Sequence, residues 1–586
     1  MESQNHISEP DFERALGKIL DNMQQQERKC PWASKSPHCE RNFSITEEDI
    51  KFYHKLRIPP PTLCPSCRRM RRLGFALMLR FYKQPCVAPD HHESVISTVS
   101  PGTQLKVYDW DYYHTYEWEP LSYGIDHDEK KPLFDVLYDL RQKVPQPAIV
   151  RDPSNIDSEY TINGRNLKHG YFVSGGWRSE WVYYSVTVDG ARDCMDCYFT
   201  RNATYCYESV FSRNLNDSDF LYFSNDCYSC RLMYDSKNCH DCFGCVNLRN
   251  KSYCFFNEQL TKEQYEKKLA SINLGRRDEL LQMQERFWKL VKSLPVRAVR
   301  NEKVNNVLGN YIIESRNCYQ SYVAEKSDNL RFAETTIGNK DSMDYAVSGG
   351  SELLYETVAV GSQCSNVKFS FGSKFVTDSE FVINCRNISN CFACIGLENQ
   401  SHCIFNKKYT PEEYAINVDR IKTAMLVRGE YGEFFPLKFS PHAYNDSFAQ
   451  IVFPLSQQQV ESLGGNWNDE TRGDTISKSQ EIFEIKDIPM DIRDVKDDIL
   501  KKALRCQISG RLFRIVAYEL ELYRRKRLPL PTIHPNERIK RRYILANPYR
   551  LYDAFCARCG AATKSMYDPN DKFILYCEKC YQAEIV

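Results

Sequence analysis

Cysteine carries the chemistry available to this chain. The 586 residues include 25 cysteines, and those near the two ends have the spacing of metal ligands. At the N-terminal end the set reads Cys30-x8-Cys39, then Cys64-Pro-Ser-Cys67. At the C-terminal end it reads Cys556-Ala-Arg-Cys559 and Cys577-Glu-Lys-Cys580, with 17 residues between the pairs. A Cys-x2-Cys turn offers two thiolates to one ion, and a second pair completes the tetrahedron that Zn2+ accepts. Four protein ligands leave no position for water, so two structural zinc ions are expected.

The two ends are related. Phe43 to Arg72 aligns without a gap to Phe513 to Arg542, with eleven of thirty positions identical. A weaker match follows, Leu79 to Tyr112 with Tyr549 to Cys580. Each end therefore reads as a tandem of two knuckle-type units, and the copies have lost ligands in opposite places. His534 and Glu537 stand for Cys64 and Cys67, and Cys506 roughly for Cys39. Cys506 and His534 are further candidate ligands; the competing expectation is a metal-free relic held by hydrophobic contacts. Cys86 matches Cys556 and is a third candidate, but Pro89, Asp109 and Tyr112 occupy its partners' places. His91 and His92 are either substitutes there or solvated loop residues.

Basic residues accompany the knuckles. Arg68, Arg69, Arg71 and Arg72 follow the first, and Arg538, Lys540, Arg541 and Arg542 hold matching or neighbouring places. Arg524, Arg525, Lys526 and Arg527 precede the second. Two readings compete. The cations compensate the net negative charge of a zinc tetrathiolate, or they form a phosphate-binding surface on which Tyr53, Tyr82, Tyr523 and Tyr543 stack bases.

The elements between these ends repeat. Residues 157–257 and 317–406 carry the other fifteen cysteines in Ser/Asn/Asp-rich sequence with alternating aromatics. Units recur about every 11 to 12 residues, and period-2 alternation within each predicts strands. Asn, Asp, Ser and Gly between units predict turns. The expected architecture is a parallel β-solenoid whose coils bury one face against their neighbours. A longer duplication is superimposed: Asn238 to Tyr265 matches Asn387 to Tyr414 at thirteen of twenty-eight positions. Each copy ends in a capping box, Thr261 with Gln264 and Thr410 with Glu413. An amphipathic helix is predicted over Asp278 to Lys292. The pairs Cys194/Cys197, Cys227/Cys230, Cys242/Cys245 and Cys391/Cys394 are either core thiols or ligands. Alternation puts i and i+3 on opposite faces, so a shared ligand role requires a turn between them.

No nucleotide, metalloprotease or hydrolase motif is present, and no catalytic residue is assigned. Asp193 with Asp196, or Asp341 with Asp344, could serve a solenoid-groove enzyme acting on carbohydrate, but such residues more often cap turns. His127 is equally unspecific. The net charge of +1 gives no bulk signal for nucleic acid or membrane. The absence of a long apolar run and of a basic, apolar leader predicts a cytoplasmic chain with reduced thiols and no membrane partner.

Several segments (FSITEEDIKFYHKLRIPPPTLCPSCRRMRRL, CFGCVNLRNKSYCFFN, RGEYGEFFPLKFSPHAYN, GRLFRIVAYELELYRRKRLPLPTIHP and the terminal ribbon) make the chain resemble an uncharacterised cysteine-rich family of zinc-ribbon and β-solenoid proteins from candidate-phyla (Patescibacteria) bacteria. Members are sometimes labelled CaiB/BaiF-like, a class III CoA-transferase label. The residues show neither its doubly wound pattern nor a nucleophilic aspartate. The resemblance implies architecture: an N-terminal tandem zinc-knuckle module (1–120), a first solenoid half (121–270), a linking helical segment (271–316), a second half (317–415), a helix and extended linker (416–505), and a C-terminal tandem module with a zinc ribbon (506–586). The expected function is non-enzymatic zinc-dependent binding of RNA, DNA or a ribonucleoprotein such as the ribosome through the basic end modules. The alternative is a protein-interaction scaffold with purely structural zinc.

Overall fold

The central segments obey a three-residue rule in the computed structural model, which describes residues 10–468 and 481–585 apart from Met78, His92 and Glu129. From Asp193 to Phe256 every third residue has positive φ. The same holds from Tyr311 to Phe405, with a one-residue slip at Ser362 and Gln363. The residue after each left-handed position is turned inward. Cys194, Cys197, Thr200, Ala203 and Cys206 are all fully buried. Four such turns fill twelve residues, and each residue then pairs in parallel with the one twelve further on: Cys194 with Cys206, Leu215 with Cys227, Cys227 with Cys239.

The expected alternation of two is thus corrected to a period of three. The turn that a shared role of i and i+3 required is present: Asp196, Ser229, Gly244 and Ala393 all have positive φ. Asparagine tolerates this conformation, and Asn202, Asn214, Asn238 and Asn250 occupy it. Phe199 and Tyr205 occupy it too, at a cost of about 1–2 kcal/mol each that parallel pairing on both sides offsets.

Two large sheets result. The first has twelve strands between Thr161 and Gln259, and the second has ten between Asn305 and Lys408, running in sequence order. Each ends in a short antiparallel hairpin, Cys254–Phe255 with Glu258–Gln259 and Ser401–Ile404 with Lys407–Lys408. Both expected capping boxes follow, starting the helices Lys262–Ala270 and Pro411–Val427.

The inner positions explain the cysteines. A chain that turns every three residues leaves inward backbone groups needing partners. Cys194 Sγ donates to the carbonyls of Arg192 (3.1 Å) and Ala203 (3.4 Å). Ser212 Oγ donates to Val210 O at 3.0 Å and accepts from the Ser224 N–H at 3.0 Å. Small residues with one donor and one acceptor fit here, and cysteine and serine are those residues.

The chain forms two compact units, each built from two separate stretches: Met1–Ile149 with Arg300–Asn468, and Val150–Val299 with Asp469–Val586. The first joins the N-terminal module to the second sheet. Its core includes Phe434, Phe435, Phe439 and Tyr444, so the aromatic stretch expected in a linker is interior. Phe75 meets Phe371 and Phe434 edge-on at 5.4 and 5.0 Å. The second unit joins the first sheet to the C-terminal module. The predicted amphipathic helix spans Arg277–Ser293 and lays Phe287 and Trp288 on Tyr222. Among the described residues, no helix is long and apolar enough to cross a membrane.

The thiol account predicts the response of Cys318, which is buried and donates to Arg316 O at 3.3 Å. Cys318→Ser retains the donor and should leave the chemical-denaturation midpoint nearly unchanged. Cys318→Val, of similar volume, strands a carbonyl and should cost about 1–3 kcal/mol. Equal effects of the two variants would remove the hydrogen-bonding role.

Candidate metal centres and the arginine clamps

In the first unit the capping box of Thr46 and Asp49 starts helix α1 (Glu47–Leu56), and Cys64 with Pro65 starts helix α2 (Pro65–Leu73). Cys64 caps α2 and Cys67 lies in its first turn, so α2 presents two thiols beside Cys30 and Cys39. All four Sγ atoms lie within 4.8 Å of one another. Cys39 and Cys64 Sγ are 3.9 Å apart, against an edge of about 3.8 Å for a tetrahedron of thiolates bound to zinc at ~2.3 Å. Backbone N–H groups point at the sulfurs, Cys64 N to Cys30 Sγ at 3.4 Å and Arg41 N to Cys39 Sγ at 3.3 Å.

The second unit repeats this with Cys556, Cys559, Cys577 and Cys580. Cys559 and Cys577 Sγ are 3.8 Å apart, and Cys577 N donates to Cys556 Sγ at 3.3 Å. Gly560, at φ +72°, closes the knuckle, its N–H bonding Cys556 O at 2.9 Å. The hairpin flanking this knuckle pairs Tyr552–Phe555 with Ala562–Ser565. Ile574–Tyr576 pairs in parallel with Pro295–Arg297.

Crowding sets the thiol charges. A hydrogen bond from Cys67 holds Cys64 down at about 6, while its counterpart and burial push Cys67 far up. Burial raises Cys39 to about 11 and Cys580 to about 12. Burial also pushes Cys556 upward, but the N–H groups of Cys577, Cys559 and Arg558 outweigh it and leave this thiol at about 6. Four adjacent thiols cannot all ionise until a cation lies between them, so a bound metal replaces protons.

Cys506, His534 and Cys86 are not gathered into such a group among the described residues. Cys506 keeps the knuckle backbone: its N–H bonds Arg511 O, and the Gly510 N–H bonds Cys506 O, both at 2.9 Å. Ser509 stands where Cys559 stands in the ribbon. His534 caps helix α3 (Pro535–Ala546) by accepting from Asn536 N at 3.1 Å. Cys86 accepts from the Asp109 N–H at 3.2 Å. His91 packs on Tyr112, and His92 lies outside the described residues.

The arginines expected at phosphate are mostly interior. Arg68 and Arg72 are each 1% exposed. Arg68 bonds Asp344 at 2.9 Å, and Arg72 bonds Asp344 at 3.0 Å and Glu356 at 3.1 Å. Arg71 spans Glu433 (2.9 Å) and Glu356 (3.2 Å), and Arg69 pairs with Glu334. Asp344 and Glu356 lie twelve residues apart, at equivalent left-handed corners of neighbouring strands in the second sheet.

The second unit has the same clamp. Arg538 and Arg542 each meet Asp196 at 2.7 Å, and Arg538 also meets Glu519 at 3.1 Å. Lys526 pairs with Asp219 at 2.8 Å. Asp196 lies at a left-handed corner of the first sheet. Of the second basic set, Arg541 is exposed and Lys540 half-buried.

The phosphate-surface expectation is therefore corrected for Arg68, Arg71, Arg72, Arg538 and Arg542: buried carboxylates occupy them. Tyr53, Tyr82, Tyr523 and Tyr543 are buried as well. Asp196 and Asp344, weighed as catalytic carboxylates, are the clamp's anions. Asp193 accepts from Tyr518 and Asp341 from Asn329, each at 2.5 Å. His127 stacks on Phe405 at 5.0 Å. Glu208, Glu356 and the clamp role of Asp196 and Asp344 escaped sequence reasoning, although Asp-x11-Glu recurs at Asp196/Glu208 and Asp344/Glu356 and could have signalled them.

Arg72→Ala should cost about 3–5 kcal/mol by leaving Glu356 buried and partly unpaired. Arg541→Ala, at an exposed site, should shift stability by about 0.5 kcal/mol or less. Denaturation midpoints compare the two, and equal effects would remove the clamp from the account. No protein-family model matches this chain, and a search of curated proteins finds no match.

Proposed function

We propose that the protein is a non-enzymatic, zinc-stabilised β-solenoid scaffold that binds a macromolecular partner. Parallel pairing at an offset of twelve, with local offsets of eleven and thirteen in the second sheet and four turns per repeat, supports reading each sheet as a narrow coil. The tetrathiolate dimensions support zinc as the ion at both ends. The functional reading is carried by the clamps: the residues best suited to reading phosphate are spent on holding each end module to a coil. The modules then act as fasteners, and partner contact falls to the outward sides of the coils.

Nucleic acid or a ribonucleoprotein bound through the end modules is the second reading. It is favoured by Arg541, exposed on α3, and by Lys540 beside it.

Protein purified without added metal should carry two zinc ions per chain by elemental analysis. Cys559→Ser should carry one. Chelation should lower the thermal midpoint of wild type, and added zinc should restore it. A redox-active metal in stoichiometric amount, or retention of both zinc ions by the variant, would overturn the assignment.

A further inference from the structure

The first sheet carries a straight column of cations on an outward side. Asp189, Arg201, Arg213, Asn225, Lys237 and Arg249 are consecutive partners across its strands. Arg201, Arg213 and Lys237 are exposed, while Arg249 pairs with Asp235 at 3.0 Å. Adjacent strands are about 4.8 Å apart, so Arg201 to Arg249 spans about 19 Å. Like charges directly opposite one another on neighbouring strands repel.

The fold does not demand these arginines. In the duplicated second sheet the matching column runs Ile337, Gly349, Gly361, Lys374, Arg386 and Glu398. Glycine thus stands at the places of Arg201 and Arg213, and Gly361 is held there only by an isolated bridge to Lys374.

Beside the column the surface is stiff and polar. Asn202 donates to Asn214 at 3.1 Å, Asn214 to Asp226 at 2.7 Å, and Asn238 to Asn250 at 2.7 Å. Two aromatics flank it: Trp177 is 39% exposed and Tyr228 47% exposed.

The geometry points to the outward side of the first sheet, along Arg201, Arg213 and Lys237, as a binding face for single-stranded nucleic acid. Cations tracking a backbone, with aromatics placed to stack bases, are what such a strand requires. An extended strand can follow a straight column, whereas the phosphates of a duplex curve away from it. This names a partner for the scaffold proposed above and rests on that reading.

The test uses full-length, zinc-loaded protein and a fluorescein-labelled 20-nucleotide single-stranded RNA, with anisotropy read from about 50 to 200 mM salt. The Arg201→Ser/Arg213→Ser/Lys237→Ser variant should bind at least tenfold more weakly and lose about two units of salt slope, at about 0.7 per cation. Lys374→Ser/Arg386→Ser, on the second sheet, should bind as wild type does. The single variants Arg201→Ser and Arg213→Ser, each with an unchanged denaturation midpoint, should each weaken binding and so guard against misfolding of the triple variant. RNA binding that survives the triple variant, or that is lost instead in Lys540→Ser/Arg541→Ser, overturns this face and leaves a nucleic-acid scaffold standing. Absence of RNA binding overturns both the face and the nucleic-acid partner. Tighter binding of a polyuronate of equal charge overturns the nucleic-acid assignment alone.

Discussion

A left-handed residue at every third position is the constraint on which the rest of this structure depends. It turns the chain four times in twelve residues and so fixes the parallel offset. It leaves too little interior for large side chains at most positions, and it leaves backbone groups that must find partners there. Thiols and hydroxyls satisfy them at short range. The same corners point other side chains outward, and four of these are the carboxylates Asp196, Glu208, Asp344 and Glu356. The offset of the parallel strands and the placement of the arginine clamps therefore share one cause.

The clamps join the two kinds of element in the protein. A buried guanidinium is tolerated only where its charge and hydrogen bonds are met together, and paired carboxylates on neighbouring strands do this for Arg68 and Arg72. The second unit makes the same contact with Arg538 and Arg542 on a helix that no longer carries thiols. The clamp is therefore present on that helix without a four-cysteine site beside it. In the first unit, Cys67 and Arg68 are neighbours on α2, so the four-cysteine site and the clamp constrain the same turn.

Much of this was legible in the sequence, and the failures are instructive. The end cysteines declared themselves because ligand spacing is local: Cys556 and Cys559 must sit on one turn wherever that turn lies. The repeat length was legible as a recurrence of about 11 to 12 residues, close to the offset of twelve at which most neighbouring strands pair. The period within the coil was misread, because Tyr and Phe at left-handed corners mimic strand alternation. Arginine burial was hidden for a different reason. Nothing near Arg68 announces Asp344, and a cationic run reads as a surface until its distant anions are known. Cysteines such as Cys227 and Cys230 resembled ligands because the i, i+3 spacing that serves a metal knuckle also serves a three-residue turn.

The interlaced course of the chain has a consequence in time. Arg68 and its partner Asp344 are separated by 276 residues. At synthesis rates of ~5–20 residues per second, that interval lasts roughly 15–55 s. Throughout it, the cationic α2 exists without the anions that will enclose it, and by its end the first sheet has been made while its own covering helix has not. Neither unit can close in the order in which it is translated. The nascent chain must therefore remain soluble with a basic helix and an uncovered acidic corner exposed together, in a cell where ribosomal RNA is the most abundant polyanion at hand.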